Sequence, residues 1–388
     1  MPTPSLLIVP ARFKTGRLYS QIPVPVAPST SSVGDFTVTR NTEARRFNSA
    51  GLLESVASGI PRLDYYTSGG VTGCPALLVE PAATNLALHS RDLSNAVWSG
   101  TNVTTAKNAV GADGVASGAT TLTATAASGT VLQALSHASQ SRVFSAYVRR
   151  VTGTGAIQMT TNGGTNWTTV TISSLYTQVA CAAQTVASGT IGFRMAVSGD
   201  VIEVDFTQGE VGPVATSPIP TTAGTGSRSA DVVSVSGAVS GSIGQTEGTI
   251  YAEVDVTNRL NGTAALTLAK DANVSGRVIL YTNTNNRWRA NYTDASGTIV
   301  DTSAANDTQV LGVNKLAFAY GAGGDATVHC NGSLIITLSG TSTFVQELRA
   351  IFLGSTNGGA LFFNNRIRAA ALYTTRLTNA ELATLTTL

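Results

Sequence analysis

The chain has 388 residues, more than one hydrophobic core usually organises, so two or three domains are expected. Only 12% of its residues are charged and the formal net charge is +2, which excludes the clustered Lys and Arg of a typical nucleic-acid binder. A charge-poor chain rich in Gly, Thr, Ser, Val and Ala favours pleated, half-buried surfaces over helices, whose exposed faces need Lys, Glu and Arg.

The first 28 residues hold Pro2, Pro4, Pro10, Pro23, Pro25 and Pro28. Proline fixes φ and removes an amide donor, so residues 1–34 are expected as an extended arm rather than a central strand or helix. The arm also carries Leu6, Leu7, Ile8, Val9, Ile22, Val24 and Val26, which a solvated tail does not need. Those side chains are expected to order against another protein surface. No basic segment precedes the short apolar run Leu6–Val9, so it does not read as a secretory signal, and no stretch approaches membrane-spanning length.

Residues 35–97 form the next segment, with strands expected at Phe36–Arg40, Leu52–Val56 and Ala76–Val79. From 98 to 222, short strands recur about every ten residues between Gly, Ser and Asn turns, the spacing of a β-sandwich. Val143–Arg149, Ile191–Val197 and Val201–Phe206 are the clearest. In the last, Ile202, Val204 and Phe206 are expected on one face by the two-residue period. The strand runs into Gln208-Gly209-Glu210, after which Pro213, Pro218 and Pro220 lead an extended strap out through Thr221-Thr222 to Arg228 and Asp231.

Residues 223–247 are Gly- and Ser-rich with a strand at Val232–Val235, and read as a linker. A second sandwich is expected over 248–388, with strands at Tyr251–Val256, Leu266–Ala269, Arg277–Tyr281, Arg287–Tyr292, Leu316–Tyr320 and Thr327–Cys330. Asn331-Gly332 reads as a hairpin turn, because both central residues of a type I′ turn need positive φ. Thr378 and Glu381 have capping-box spacing before a short terminal helix.

Chemistry is sparse. Cys74, Cys181 and Cys330 are too few and too scattered for a disulfide framework, which fits folding in a reducing compartment. His89, His137 and His329 are the histidines, and none sits in a nucleophile motif. Asp294, Asp301, Asp307 and Asp325 read as turn residues, with a calcium site as the functional rival but no EF-hand spacing. No enzyme, cofactor or metal is expected. Saccharide binding is the better prospect, since sugar C–H faces stack on aromatics while hydroxyls need Asn, Asp or Arg. Two turns offer both groups: Asn162, Asn166 and Trp167 in the first sandwich, and Asn285, Asn286, Arg287 and Trp288 in the second. Along Arg287–Tyr292, however, alternation places Trp288 on the core-facing side.

The ordered run of Arg, Asn-x-x-Gly-Leu, Pro-Arg-Leu-Asp-Tyr, Leu-Leu-Val-Glu-Pro, Thr-Asn-Leu, Ser-x-Asp-Leu-Ser-Asn and Trp between residues 40 and 98 resembles tailed-bacteriophage virion proteins, fibres or decoration proteins. The strap at 206–231 resembles the closing strap of their carbohydrate-binding-module-like jelly rolls, and the C-terminal hairpin and helix resemble laminin-G or concanavalin-like domains. The resemblance implies an all-β, non-enzymatic virion structural protein. It would be made in the host cytoplasm, dock to other virion proteins through its arm, form a homo-oligomer such as a trimer, and display lectin-like sandwiches to host surface glycans. Nucleic-acid binding and membrane insertion are not implied. The alternatives are a capsid or tail cement protein without sugar binding, and a virion-associated polysaccharide depolymerase.

Overall fold

A computed structural model describes residues 2–10, 13–14, 17–18, 20, 35–68, 71–237, 239–270, 276–293, 299–301, 309–338, 347–357 and 359–388. Strands take 49% of the chain and helix 3%, so the all-β expectation holds. The chain divides into two compact units. One comprises residues 42–55 and 82–229; the other comprises 1–41, 56–81 and 230–388.

The unit of 42–55 and 82–229 pairs a five-stranded sheet with a six-stranded one. The five-stranded sheet runs in the order Ser99–Thr101, Gly129–Ala134, Thr190–Met195, Ile157–Thr160, Thr168–Val170. The other is centred on two long strands, Gln140–Thr152 and Val201–Val211. Alternate residues from both sheets, among them Leu122, Val131, Phe144, Phe193, Ile202 and Val204, close the core. Trp98 is buried there, and its indole N–H donates to the Leu88 carbonyl at 3.1 Å.

Phe206 departs from the expected alternation. It adopts φ +48, and the pairing with Gln140–Thr152 shifts register between Asp205 and Gln208. This irregularity breaks the two-residue period. The Phe206 ring therefore leaves the Ile202/Val204 core and packs with Leu53, Ala112 and Tyr147. The Arg91 guanidinium covers it at 4.1 Å.

The other unit holds an eight-stranded and a nine-stranded sheet with one large core between them. All the strands expected over 248–330 are present, extended or shifted by a few residues. The Asn331-Gly332 turn has positive φ at both residues, +48 and +82. Asp294 and Asp307 lie outside the described residues, Asp301 lies in the strand Ile299–Asp301, and Asp325 lies in the turn before Ala326–Cys330.

The N-terminal arm requires a correction. Leu6–Ile8 forms a strand that pairs antiparallel with Asn365–Tyr373, matching Leu6 to Leu372 and Ile8 to Ala370. Leu6 and Ile8 are buried in this unit's own core, Leu7 is half-buried, and Val9 is exposed. An apolar pair flanked by free strand edges finds a partner within the chain, so Leu6 and Ile8 are not available as anchors for another protein. Ile22, Val24 and Val26 lie outside the described residues. The segment 35–97 carries its short strands but divides them: Phe36–Thr39, Leu63–Asp64 and Ala76–Val79 join this unit, while Ala83–Asn85 pairs with Gly226–Arg228 in the other.

Several motif residues of that segment meet in a buried ion network. Arg40 donates to Asp231 at 2.8 Å and Arg62 to Glu80 at 2.6 Å, and Arg62 also pairs with the second oxygen of Asp231. The Glu80 amide donates to Asp231 as well, at 3.0 Å. All four side chains are almost fully buried. Removing one partner would leave an uncompensated buried charge, a loss of about 3–5 kcal/mol.

The terminal helix Asn379–Thr386 starts with the expected capping box. Thr378 Oγ1 accepts from the Glu381 amide at 3.3 Å, and Glu381 accepts from the Thr378 amide at 2.9 Å. Leu382 seats the helix against Tyr251, Ala317, Ala319 and Leu377, on the side of the sheet facing away from the main core. His329 lies in the strand Ala326–Cys330, next to Val328, whose side chain enters the main core, so alternation turns the imidazole to the helix side. It is 2% exposed, its Nδ1 has no hydrogen-bond partner, and burial lowers its pKa.

Two outcomes follow. Leu6→Ala and Ile8→Ala should each cost about 2–5 kcal/mol in equilibrium unfolding, the usual loss for a buried aliphatic side chain; unchanged stability would return these residues to a docking role. Burial disfavours the charged form of His329 in the fold, whereas the unfolded chain takes up the proton below about pH 6.5. Stability should therefore be complete above that pH and decline as pH falls, and His329→Gln should flatten that part of the profile in thermal melts recorded between neutral and acid pH.

Candidate functional site

In the unit of 42–55 and 82–229, Pro213, Pro218 and Pro220 keep residues 212–225 of the strap out of any sheet, so side chains must satisfy their backbone. Gln208 Oε1 accepts from the Ile219 amide at 2.7 Å. Glu210 accepts from the Thr216 amide and hydroxyl, both at 2.7 Å, and from Gln208 Nε2 at 2.8 Å. Asn85 uses its whole amide: it donates to the carbonyls of Thr207 (2.9 Å) and Ile219 (2.8 Å) and accepts from the amides of Ala87 and Gly209, both at 3.0 Å. Arg228 donates to Ser217 Oγ at 2.9 Å. Burial raises the Glu210 pKa, against the lowering effect of these donors and of Arg228.

Further along, the strap passes the turn at 88–92. The Thr221 amide donates to Ser90 Oγ at 2.8 Å, its hydroxyl donates to the Ala87 carbonyl, and the His89 amide donates to the Thr222 carbonyl at 2.8 Å. These contacts leave a cleft of about 460 Å³ lined by His89, Arg91, Asp92, Lys107, Pro220, Thr221 and Thr222. His89 stands at its edge with φ +46, a conformation non-glycine residues rarely adopt and one that concentrates at functional positions. Arg91 is committed: it binds Asp205 through Nε (2.8 Å) and Nη2 (2.9 Å), and Asp113 at 2.7 Å. Lys107 donates to the carbonyls of Arg91 (2.9 Å) and Gly118 (3.2 Å).

The first sugar-binding candidate is a turn of the same unit. Asn162 spends its side chain on the turn itself, accepting from the Asn166 amide at 2.9 Å and donating to Gln184 at 3.0 Å. Gly163 and Gly164, with φ +71 and +89, let the chain pass close under Trp167; a Cβ on Gly164 would come within 2.9 Å of the indole. Trp167 is half-buried, and the Arg194 guanidinium lies 4.6 Å from its ring centre. Arg194 in turn donates to Gln158 at 2.7 Å. The half-buried indole thus carries the Arg194 guanidinium over its ring and adjoins the exposed Asn166 in sequence.

The second candidate is corrected in part. Trp288 is 1% exposed, packs near Phe363 in the core, and donates its indole N–H to Asn314 at 3.1 Å. A ring so enclosed cannot stack on a sugar. Asn285, Asn286 and Arg287 sit on the preceding hairpin turn, organised by Asn283, which accepts from the Asn285 and Arg287 amides at 2.9 and 3.1 Å. These residues belong to the other unit.

Of the histidines, His137 holds its own loop, accepting from the Gly189 amide at 3.2 Å, and His329 lies under the terminal helix. Among the described residues, no group of three or more His, Cys, Asp or Glu is placed to hold a metal. The His89 cleft was not visible in the sequence, because the left-handed backbone there and the return of the strap over 130 residues later leave no local pattern.

No protein-family model and no curated protein sequence matches the chain. Among solved structures, it is similar to the CBM40 module of the Ruminococcus gnavus IT-sialidase, with 22% identity and a TM-score of 0.31 over 37% of this chain and 84% of that one. It is also similar to domain 4 of AbnA, a GH43 extracellular arabinanase from Geobacillus stearothermophilus, in complex with arabinotriose (17% identity, TM-score 0.34, 40% and 73% of the two chains). A SAP-like pentraxin from Limulus polyphemus gives 12% identity and a TM-score of 0.28 over 36% and 69%. The similarity is partial and weak, and no ligand follows from it.

Asn85→Ala removes four backbone hydrogen bonds at once, to Thr207, Gly209, Ala87 and Ile219, the last of which holds the proline-bearing strap. The unit should lose about 2–4 kcal/mol in denaturant unfolding, with limited proteolysis opening first between 212 and 225. Cleavage spread evenly over the chain would contradict the strap's dependence on Asn85.

Proposed function

We propose that the chain is a non-enzymatic β-sandwich protein of a tailed-phage particle, and that it binds saccharides through the unit of 42–55 and 82–229. The observation that carries the sugar-binding part is the Trp167 turn, where a half-buried indole with the Arg194 guanidinium over its ring follows the exposed Asn166 and two left-handed glycines. Aromatic carbon beside fixed N–H donors suits a ligand with C–H faces and hydroxyls. The placement in a virion rests on the ordered motifs of residues 40–98. The buried network of Arg40, Arg62, Glu80 and Asp231 supports that reading by giving several of these motif residues a shared structural purpose. Docking to other virion proteins, trimeric assembly and exposure on the particle belong to the same proposal. With Leu6, Ile8 and Leu18 folded into the core, docking falls to Val9 among the described apolar residues of the arm.

The test is a glycan array of the full-length protein, followed by solution titration of any hit. Trp167→Ala should weaken binding about tenfold, equivalent to about 1.4 kcal/mol, with little change in melting temperature. Trp288→Phe should lower the melting temperature and leave affinity within about twofold. Equal losses of affinity in the two variants would remove the Trp167 turn from the reading. Silence across the array, with particles that fall apart when the protein is deleted, would instead favour the cement role.

A further inference from the structure

The cleft beside the strap has the makings of a second saccharide seat. Its volume, about 460 Å³, falls within the range of small-ligand sites. The groups around it divide into those already committed and those left over. Arg91 is held by Asp205 and Asp113, and Thr221 is held by Ser90 and Ala87. Asp92 accepts from Ser94 through Oδ1, which leaves Oδ2 for a ligand. Lys107 donates two of its three protons to carbonyls, and the third remains. His89, Thr222 and Pro220 line the same space.

Charge narrows the ligand class. Of the lining residues, Arg91 is already set against Asp205 and Asp113, which leaves Lys107 and Asp92 as the charged groups a ligand can address. An anionic ligand would gain Lys107 but meet Asp92, and a cationic one would gain Asp92 but meet Lys107. A ligand with many hydroxyls and no charge can donate to Asp92 Oδ2, accept from Lys107, and do either with His89 and Thr222.

The backbone at His89 points the same way. A left-handed histidine costs more than a left-handed glycine would, yet the turn keeps it, locked by its amide to the Thr222 carbonyl and by its carbonyl to the Asp92 amide, both at 2.8 Å.

We propose that this cleft binds a neutral mono- or disaccharide, held by His89, Asp92 Oδ2, Lys107 and Thr222 against the Pro220 ring. This rests on the saccharide-binding reading above but assigns a site separate from the Trp167 turn.

Calorimetric titration of the full-length protein with neutral methyl glycosides, neutral disaccharides and a uronate as the acidic comparison tests it. His89→Gly is the informative variant, because glycine suits φ +46 and the melting temperature should hold or rise. Affinity for the neutral sugar should fall about tenfold or more in His89→Gly and change less than about twofold in Trp167→Ala. Asp92→Asn keeps the Oδ1 contacts to Ser94 and removes the only carboxylate among the lining residues, so it should weaken the neutral sugar and admit the uronate. Binding by the wild type that is indifferent to His89→Gly would overturn the cleft while leaving saccharide binding intact. A wild type that takes the uronate in preference to neutral sugars would overturn the ligand class. A wild type that binds no saccharide would sink the parent reading and this one together.

Discussion

Everything proposed for the unit of 42–55 and 82–229 depends on how its proline-bearing strap is held. A strap that cannot enter a sheet leaves amides and carbonyls that burial would penalise by about 1–3 kcal/mol each. The chain answers with side chains from strand ends. Asn85 meets four backbone groups, Gln208 and Glu210 meet two strap amides, and Arg228 closes on Ser217. Burial disfavours the Glu210 carboxylate, which tolerates its position only because donors from Thr216 and Gln208 converge on it. Such a network fixes geometry more than it adds stability, since a fully satisfied buried polar group gains little net free energy and a half-satisfied one loses much.

The other unit solves a similar problem with charge. Arg40, Arg62, Glu80 and Asp231 come from four separate stretches of sequence and meet in the interior. In a protein with so few charged residues, burying two complete pairs is costly unless each partner specifies which segments must meet. Loss of any one member would leave three charges without their balance. The short strands Phe36–Thr39 and Ala76–Val79 send Phe36, Val38, Leu77 and Val79 into the main core, and Arg40 and Glu80 of the network directly follow them in sequence.

The sequence made the strands, the Asn331-Gly332 turn, the capping box and the buried side of Trp288 legible because each is written in neighbouring residues: alternation, paired positive-φ residues, or a three-residue spacing. Its motif residues were legible as an ordered pattern, though not as ion partners, because Arg40 and Asp231 are 191 positions apart. What could not be read was pairing at long range. Leu6–Ile8 meets Asn365–Tyr373 near the opposite end of the chain, and an apolar triplet looks the same whether its partner is its own sheet or another protein. The register break at Phe206 was hidden for a related reason: a phenylalanine after Ile202 and Val204 continues the alternation perfectly in sequence, and only the left-handed backbone diverts its ring.

The cleft shows how a locked scaffold can make weak surface groups useful. His89, Asp92, Lys107 and Thr222 are ordinary residues, each of which would lose side-chain entropy on gripping a ligand. Here much of the ordering precedes any ligand. Lys107 is pinned by two carbonyls, Asp92 by Ser94, and the His89 backbone by the strap it faces. A ligand entering such a site orders less than it would on a free surface, so a few hydrogen bonds and one proline face can suffice for a weak but selective association. Weak single-site affinity suits a protein that presents several copies of itself, because linked sites multiply their effect without any new contact. The trimer proposed for this chain would supply that multiplication, and the strap would keep each copy of the cleft identical.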